Sequence, residues 1–244
     1  MRAWRALLPL LPLVASGCFQ ALLQAPGSST LGFACAMMDP VQADGVQVES
    51  WIDPRVSLDA RPWALRLVGV LANATGRSPS AFAFRHEVGP PPPQDGWNRT
   101  NLADAATSFI HGRTVALRIL WVESVAEEAT GMVAGPGNVV VALDSVQAAA
   151  LRIGRPVGDV AFAVLLHQVG HAMGATNLGV PVQDPDIQDR EGPPGHDKDP
   201  ASVLNAAWDD ARTVTWSDNS TYDRYPAPVL ADWAGARGPG GVCA

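Results

Sequence analysis

The chain has 244 residues, 47% of them apolar and 17% charged, which is enough apolar material for one sizeable core and argues against a disordered chain. Lys and Arg number 17 against 24 Asp and Glu, a net charge of −7, and no basic stripe runs along the sequence, so nucleic acid is not an expected partner. The 23 Gly and 21 Pro imply many loops.

The N-terminus reads MRAWRALLPLLPLVASGC: two arginines, an apolar run from Ala6 to Val14, then small residues before Cys18. That is the shape of a secretory signal. The run is too short to cross a bilayer as a stable helix. Its ending, ASGC, resembles a bacterial lipobox, in which the cysteine is lipidated and becomes the new N-terminus; Ala15 stands where leucine is more usual. On this reading residues 1–17 are a lipoprotein signal peptide, 18–44 a lipid anchor and linker, and 45–244 the folded domain. An ordinary signal cut near Gly17 is the alternative. Phe19 is not the aspartate associated with inner-membrane retention, so the expectation is an exported lipoprotein held to the outer membrane through Cys18. Cys35 and Cys243 are then left in an oxidising compartment, and a disulfide between them would tie the two ends of the domain together. Two free thiols are the alternative.

Gly45–Ile52 (GVQVESWI) alternates as a strand does, and Asp53-Pro54 breaks it. Residues 57–75 predict an amphipathic helix with Trp63, Leu67, Val70 and Leu71 facing the core, provided Pro62 lies in its first turn. Ser80–His86 predicts a short strand, and Gly89–Gly96 (GPPPPQDG) a loop. Thr114–Val122 (TVALRILWV) is a strong strand pattern. Gly131–Gly137 predicts a glycine-rich connection and Asn138–Leu143 another strand. Gly158–Met173 is the best helix, with Asp159 as its cap, Val160, Ala163, Val164, His167 and His171 on one face, and Gly174 at its end. Asn177–Asp199 is rich in Pro, Gly and Asp, hence loop. Pro226–Ala236 predicts a last helix. The order describes an α+β domain.

Within VLLHQVGHAMGATN, His167 and His171 stand four apart on the predicted helix and share a face. Both imidazoles could reach one cation, and a zinc site needs at least one further protein ligand. The HxxxH spacing, Gly170 and the helix stop at Gly174 resemble the metzincin zinc proteases, whose motif is HExxHxxGxxH. Asp199–Asn205 (DPASVLN) resembles the family's methionine-containing turn beneath the metal, with Leu204 in place of methionine. The likeness covers about residues 45–236, and its specific letters lie in 167–205. It implies a twisted mixed sheet with an active-site helix, a zinc loop and a C-terminal helix. It also implies an edge strand that pairs with an extended peptide in the cleft, a place that Asn138–Leu143 or a strand near it would fill.

The chain departs from the family motif at three positions. Asn177 stands at the third-ligand position, and a neutral amide is a poor zinc ligand beside imidazole. NLGVP at 177–181 followed by His196 is similar to some exported bacterial metzincin-like proteins in which the last histidine lies downstream. The resemblance therefore implies His167, His171 and His196 as ligands of Zn2+, with Asn177 as the alternative third. Leu204 for methionine preserves an apolar residue of similar volume. Gln168 occupies the position of the family's general-base glutamate, and an amide has no comparable basicity. Glu123, Glu127, Glu128 and Glu191 are the other carboxylates weighed as a replacement base. His86 and His111 are read as structural. The loop carboxylates Asp184, Asp186, Asp189, Glu191, Asp197 and Asp199 lack a calcium-binding spacing and read as a solvated acidic loop.

These features lead to an expected zinc-binding, catalytically impaired metzincin-like metallopeptidase, a pseudoprotease of the bacterial cell envelope. Two rivals stand beside it: an active zinc endopeptidase using another base, and a metal-free structural lipoprotein.

Overall fold

The first strand, Gly45–Ile52 (β1), buries alternate side chains and lies between two parallel neighbours, Phe82–Val88 (β2) and Thr114–Val122 (β4). The structure is a computed structural model that describes residues 30–105, 110–127, 129–176, 178–190, 192, 195–208, 212–216 and 222–244. The expected signal peptide, the expected lipidation site at Cys18, Asn177, Glu128 and Glu191 lie outside the described residues. Among the described residues no helix is long and apolar enough to cross a membrane.

The remaining elements are helices Thr30–Met38 (α1), Arg61–Thr75 (α2) and Arg99–Ala105 (α3), then strand Ile110–His111 (β3). Strands Gly131–Gly135 (β5) and Asn138–Ala142 (β6) follow, then helices Leu143–Ile153 (α4), Val157–Ala172 (α5) and Ala227–Arg237 (α6). The sheet order is β2-β1-β4-β6-β5, with β3 paired to β4 off this path. It is parallel except for β5, which runs antiparallel to β6, and β3, antiparallel to β4. The architecture is mixed α and β, as the pattern of elements predicts.

The near-continuous apolar run of β4 follows from burial on both faces. Val115, Leu117, Ile119 and Trp121 join the main core under α2 and α5. Leu120 and Val122 pack instead with Trp97, Leu102, Met132 and Val140 on the other side. α5 is buried all round, from Val160 through Ala172, so the one-sided apolar stripe expected of it gives way to a central helix. It starts behind Pro156, with Asp159 in its first turn and no side-chain cap bond. α2 begins at Arg61 with Pro62 in its first turn, where the missing N–H costs nothing.

Several segments differ from expectation. Residues 30–38, assigned to the linker, form α1, and Phe33 through Met38 are buried. The buried guanidinium of Arg77 holds that helix by donating to the carbonyls of Ala36, Met37 and Ala43 at 2.8, 2.6 and 2.9 Å. The Gly131–Gly137 connection contains the edge strand β5, so Asn138–Ala142 is interior rather than the edge. Small glycines in β5 hide the alternation that marks a strand. α3, β3 and α4 have no counterpart in the expected order. The Cys35–Cys243 disulfide is present, with Cα atoms 5.1 Å apart, and joins α1 to the C-terminus.

Candidate metal centre

α5 supplies the first two imidazoles. His167 and His171 lie one turn apart, their rings 4.3 Å centre to centre, and their Nε2 atoms approach to 2.9 Å. The helix ends immediately afterwards. Gly174 N bonds His171 O at 2.9 Å and Ala175 N bonds Gly170 O at 3.0 Å, the paired bonds of a Schellman cap. Gly174 has φ +72°, a left-handed conformation that costs glycine little. The chain thereby turns away from the helix into the long loop.

That loop returns His196 to the same place. Its ring centre is 5.3 Å from that of His167 and 4.8 Å from that of His171. One nitrogen from each of the three residues lies within 4.8 Å of the others. All three are buried, at 0%, 4% and 0% exposure. Among the described residues this is the one group of three or more His, Cys, Asp or Glu side chains so arranged. His86 bonds Ser50 and His111 bonds Arg118, each outside the cluster.

The backbone around His196 is held from both sides. Asp189 N donates to His196 O at 2.9 Å, and Asp197 N donates to Leu204 O at 2.9 Å. The amide of Asn205 donates to Asp197 O at 3.0 Å. Thr176 Oγ1 donates to the carbonyl of Gly195, itself left-handed at φ +88°. Burial pushes the Asp197 carboxyl up from its ordinary value, opposed by bonds it accepts from Asp199 N–H and the Ser202 hydroxyl.

Beneath the two helical histidines lies the Ser202–Asn205 turn, closed by Asn205 N to Ser202 O at 3.1 Å. The carbonyl of Val203 lies 2.8 Å from His167 Nδ1. A carbonyl only accepts, so Nδ1 carries the proton and Nε2 presents its lone pair to the cluster. Leu204, fully buried, sits against Gly170: a Cβ there would lie 2.5 Å from Leu204 Cδ2 and 3.2 Å from Tyr225 Cε1. Tyr225 in turn donates to Leu166 O at 3.0 Å, and burial pushes its hydroxyl well above the ordinary range. Sequence reasoning missed the Val203 carbonyl and Tyr225. A backbone acceptor has no letter, and nothing near residue 225 points to α5.

Gln168 is 1% exposed and its side chain packs beside Gly131 of β5. Of the proposed replacement bases, Glu123 lies 3.7 Å from Arg55, and Glu127 accepts from Arg99 N at 2.9 Å. The described loop carboxylates serve turns: Asp184 accepts from Asp186 N, Asp189 from Gly192 N, and Asp199 from Ala201 N.

The donor set fits a metal ion. Three buried imidazoles, one with a ring nitrogen turned to a backbone carbonyl, are a borderline-soft nitrogen set suited to zinc and its first-row neighbours alike. Comparison with protein-family models, with curated proteins and with solved structures gives no match to this chain.

Proposed function

We propose that this chain is the zinc-binding, metzincin-like metallopeptidase domain of a bacterial envelope lipoprotein, and that Gln168 leaves it without efficient peptidase chemistry. The observation that carries the reading is the return of His196 to the His167–His171 pair over the Ser202–Asn205 turn. The sheet supports it: β5 is an antiparallel edge strand beside α5, the place an extended peptide would take. Export and lipidation rest on the ASGC motif at residues 15–18.

His167, His171 and His196 would hold the ion. Bound zinc would act as a Lewis acid and bring the pKa of a bound water near ~7. Gln168 stands where a carboxylate would take a proton from the attacking water and pass it to the leaving amine. Its amide can orient a water through a hydrogen bond but cannot store that proton. Glu123 and Glu127 are engaged at Arg55 and Arg99 N–H. Burial of the histidines and of Gln168 suits metal retention with little turnover.

The test is the metal content of the purified protein together with cleavage of a peptide library. Zinc near one equivalent with no chelator-sensitive cleavage is the expected result. Absence of metal after reconstitution would reject the site; robust chelator-sensitive cleavage would reject the impairment.

A further inference from the structure

β2 forms the side of the sheet opposite β5, and among the described residues its one strand neighbour is β1. Its other edge has no strand beside it among the described residues. Gly89 N donates to Ile52 O at 2.7 Å, and Ile52 is the register partner of Val88. Backbone groups alternate in direction along a strand. Arg85 and Glu87 therefore share the orientation of Gly89 toward β1, and Phe84, His86 and Val88 present N–H and C=O to the free edge. Pro90, without an N–H, limits the edge at its end.

The side chains alternate as well. Phe82 and Phe84 pack against the main core, and His86 and Val88 follow on that face. Arg85 and Glu87 stand on the other, with 62% and 55% of their side chains exposed. Val88 is 73% exposed.

We infer that this edge pairs with the same edge of a second copy of the chain, antiparallel and centred on His86. In that register Phe84 lies opposite Val88 of the second copy, Arg85 opposite Glu87, and His86 opposite His86. The outward-pointing residues make the hydrogen-bonded pairs, each exchanging both backbone bonds. Arg85 and Glu87 fall in the non-hydrogen-bonded pairs, where opposing Cα atoms are ~4.5 Å apart and side chains are closest. Opposite charges meet twice, once on each side of the two-fold axis. Centring the ladder one residue away would set Arg85 against Arg85, or Glu87 against Glu87, and like charges directly opposite are destabilising. The charge pattern therefore favours this register over both of its neighbours, and the contact closes as a two-fold dimer rather than growing into a fibre.

Sedimentation velocity of the full chain over a concentration series tests the dimer, and hydrogen exchange tests where it forms. The expected result is a reversible monomer–dimer equilibrium, with the amides of Phe84, His86 and Val88 protected only at high concentration. Arg85→Glu should weaken the dimer about tenfold by making both cross-copy pairs repulsive. Combining Arg85→Glu with Glu87→Arg should restore it, since the exchanged charges are again complementary. A chain that stays monomeric throughout overturns the inference. So does a dimer indifferent to Arg85→Glu, or one the double exchange fails to restore.

Discussion

His167 Nδ1 donates to the carbonyl of Val203 at 2.8 Å, across a gap of 36 residues in sequence. The bond joins the central helix to the turn beneath it, and His167 Nε2 faces His171 Nε2 at 2.9 Å. Removing any one imidazole leaves two ligands, too few for a tight site. His196→Ala and His171→Ala should therefore each lower zinc stoichiometry to near zero after dialysis, while the circular dichroism spectrum stays close to that of the parent. Full retention of zinc by His196→Ala would move the third ligand elsewhere.

Gln168→Glu places a carboxylate next to His167 on α5, where the proposed peptidase reading needs its base. A positioned general base contributes ~10²–10⁴-fold, so the variant should gain chelator-sensitive peptidase activity of about that size over the parent. Initial rates on a peptide library would show it. A variant with bound zinc and no gain would count against a peptidase site that lacks only its base.

Leu204 depends on the absence of a side chain at Gly170. A methyl group there would lie 2.5 Å from Leu204 Cδ2, well inside contact distance. Gly170→Ala should therefore cost ~1–3 kcal/mol by overpacking, despite the better helix propensity of alanine. Urea unfolding would measure it. Leu204→Ala added to Gly170→Ala should recover part of the loss, because the two changes share one contact.

The Cys35–Cys243 bridge closes a loop spanning 208 residues of separation. Most of its effect comes from restricting the unfolded chain. Cys35→Ser should destabilise the fold by ~2–4 kcal/mol, and added reductant should do the same to the parent but not to the variant. Denaturant midpoints with and without reductant provide the comparison.

Asp232 on α6 is buried at 4% exposure, and its Oδ1 accepts from Gln183 N at 2.8 Å. Burial raises its pKa; the Gln183 bond works against this and the charge of Asp184 with it. A carboxyl with a raised folded-state pKa holds its proton more tightly when folded. Its contribution to stability is therefore greatest at low pH and is lost as pH rises from the ordinary aspartate range through the raised value. Asp232→Asn keeps the acceptor oxygen and removes the charge. It should be more stable than the parent at neutral pH, with the advantage vanishing in acid. Parallel unfolding curves across that range would show the difference closing.

Much of the site was legible before the fold. HxxxH at helical spacing, a glycine stop, a loop histidine and the SVLN turn all lie in residues 167–205, and the structure brings all three histidines together. β1 and β4 match the predicted bounds because alternation and dense β-branched or apolar runs are local signals. α1, α3, β3, α4 and β5 were not anticipated. α1 is short and uniformly apolar, so it carries no periodic contrast, and it is held by Arg77 and a disulfide from distant parts of the chain. β5 is rich in small residues and becomes a strand through pairing with β6.

By itself, then, the sequence determined which residue types could hold a metal and that Gln168 offers an amide rather than a carboxylate, because ligand chemistry and proton affinity belong to side chains. Only the tertiary structure decided that His196 stands beside the helical pair, that Val203 orients His167, and that Gly170 admits Leu204. Those relations join segments far apart in the chain, and they are set by backbone hydrogen bonds and close packing that no local pattern of residues encodes.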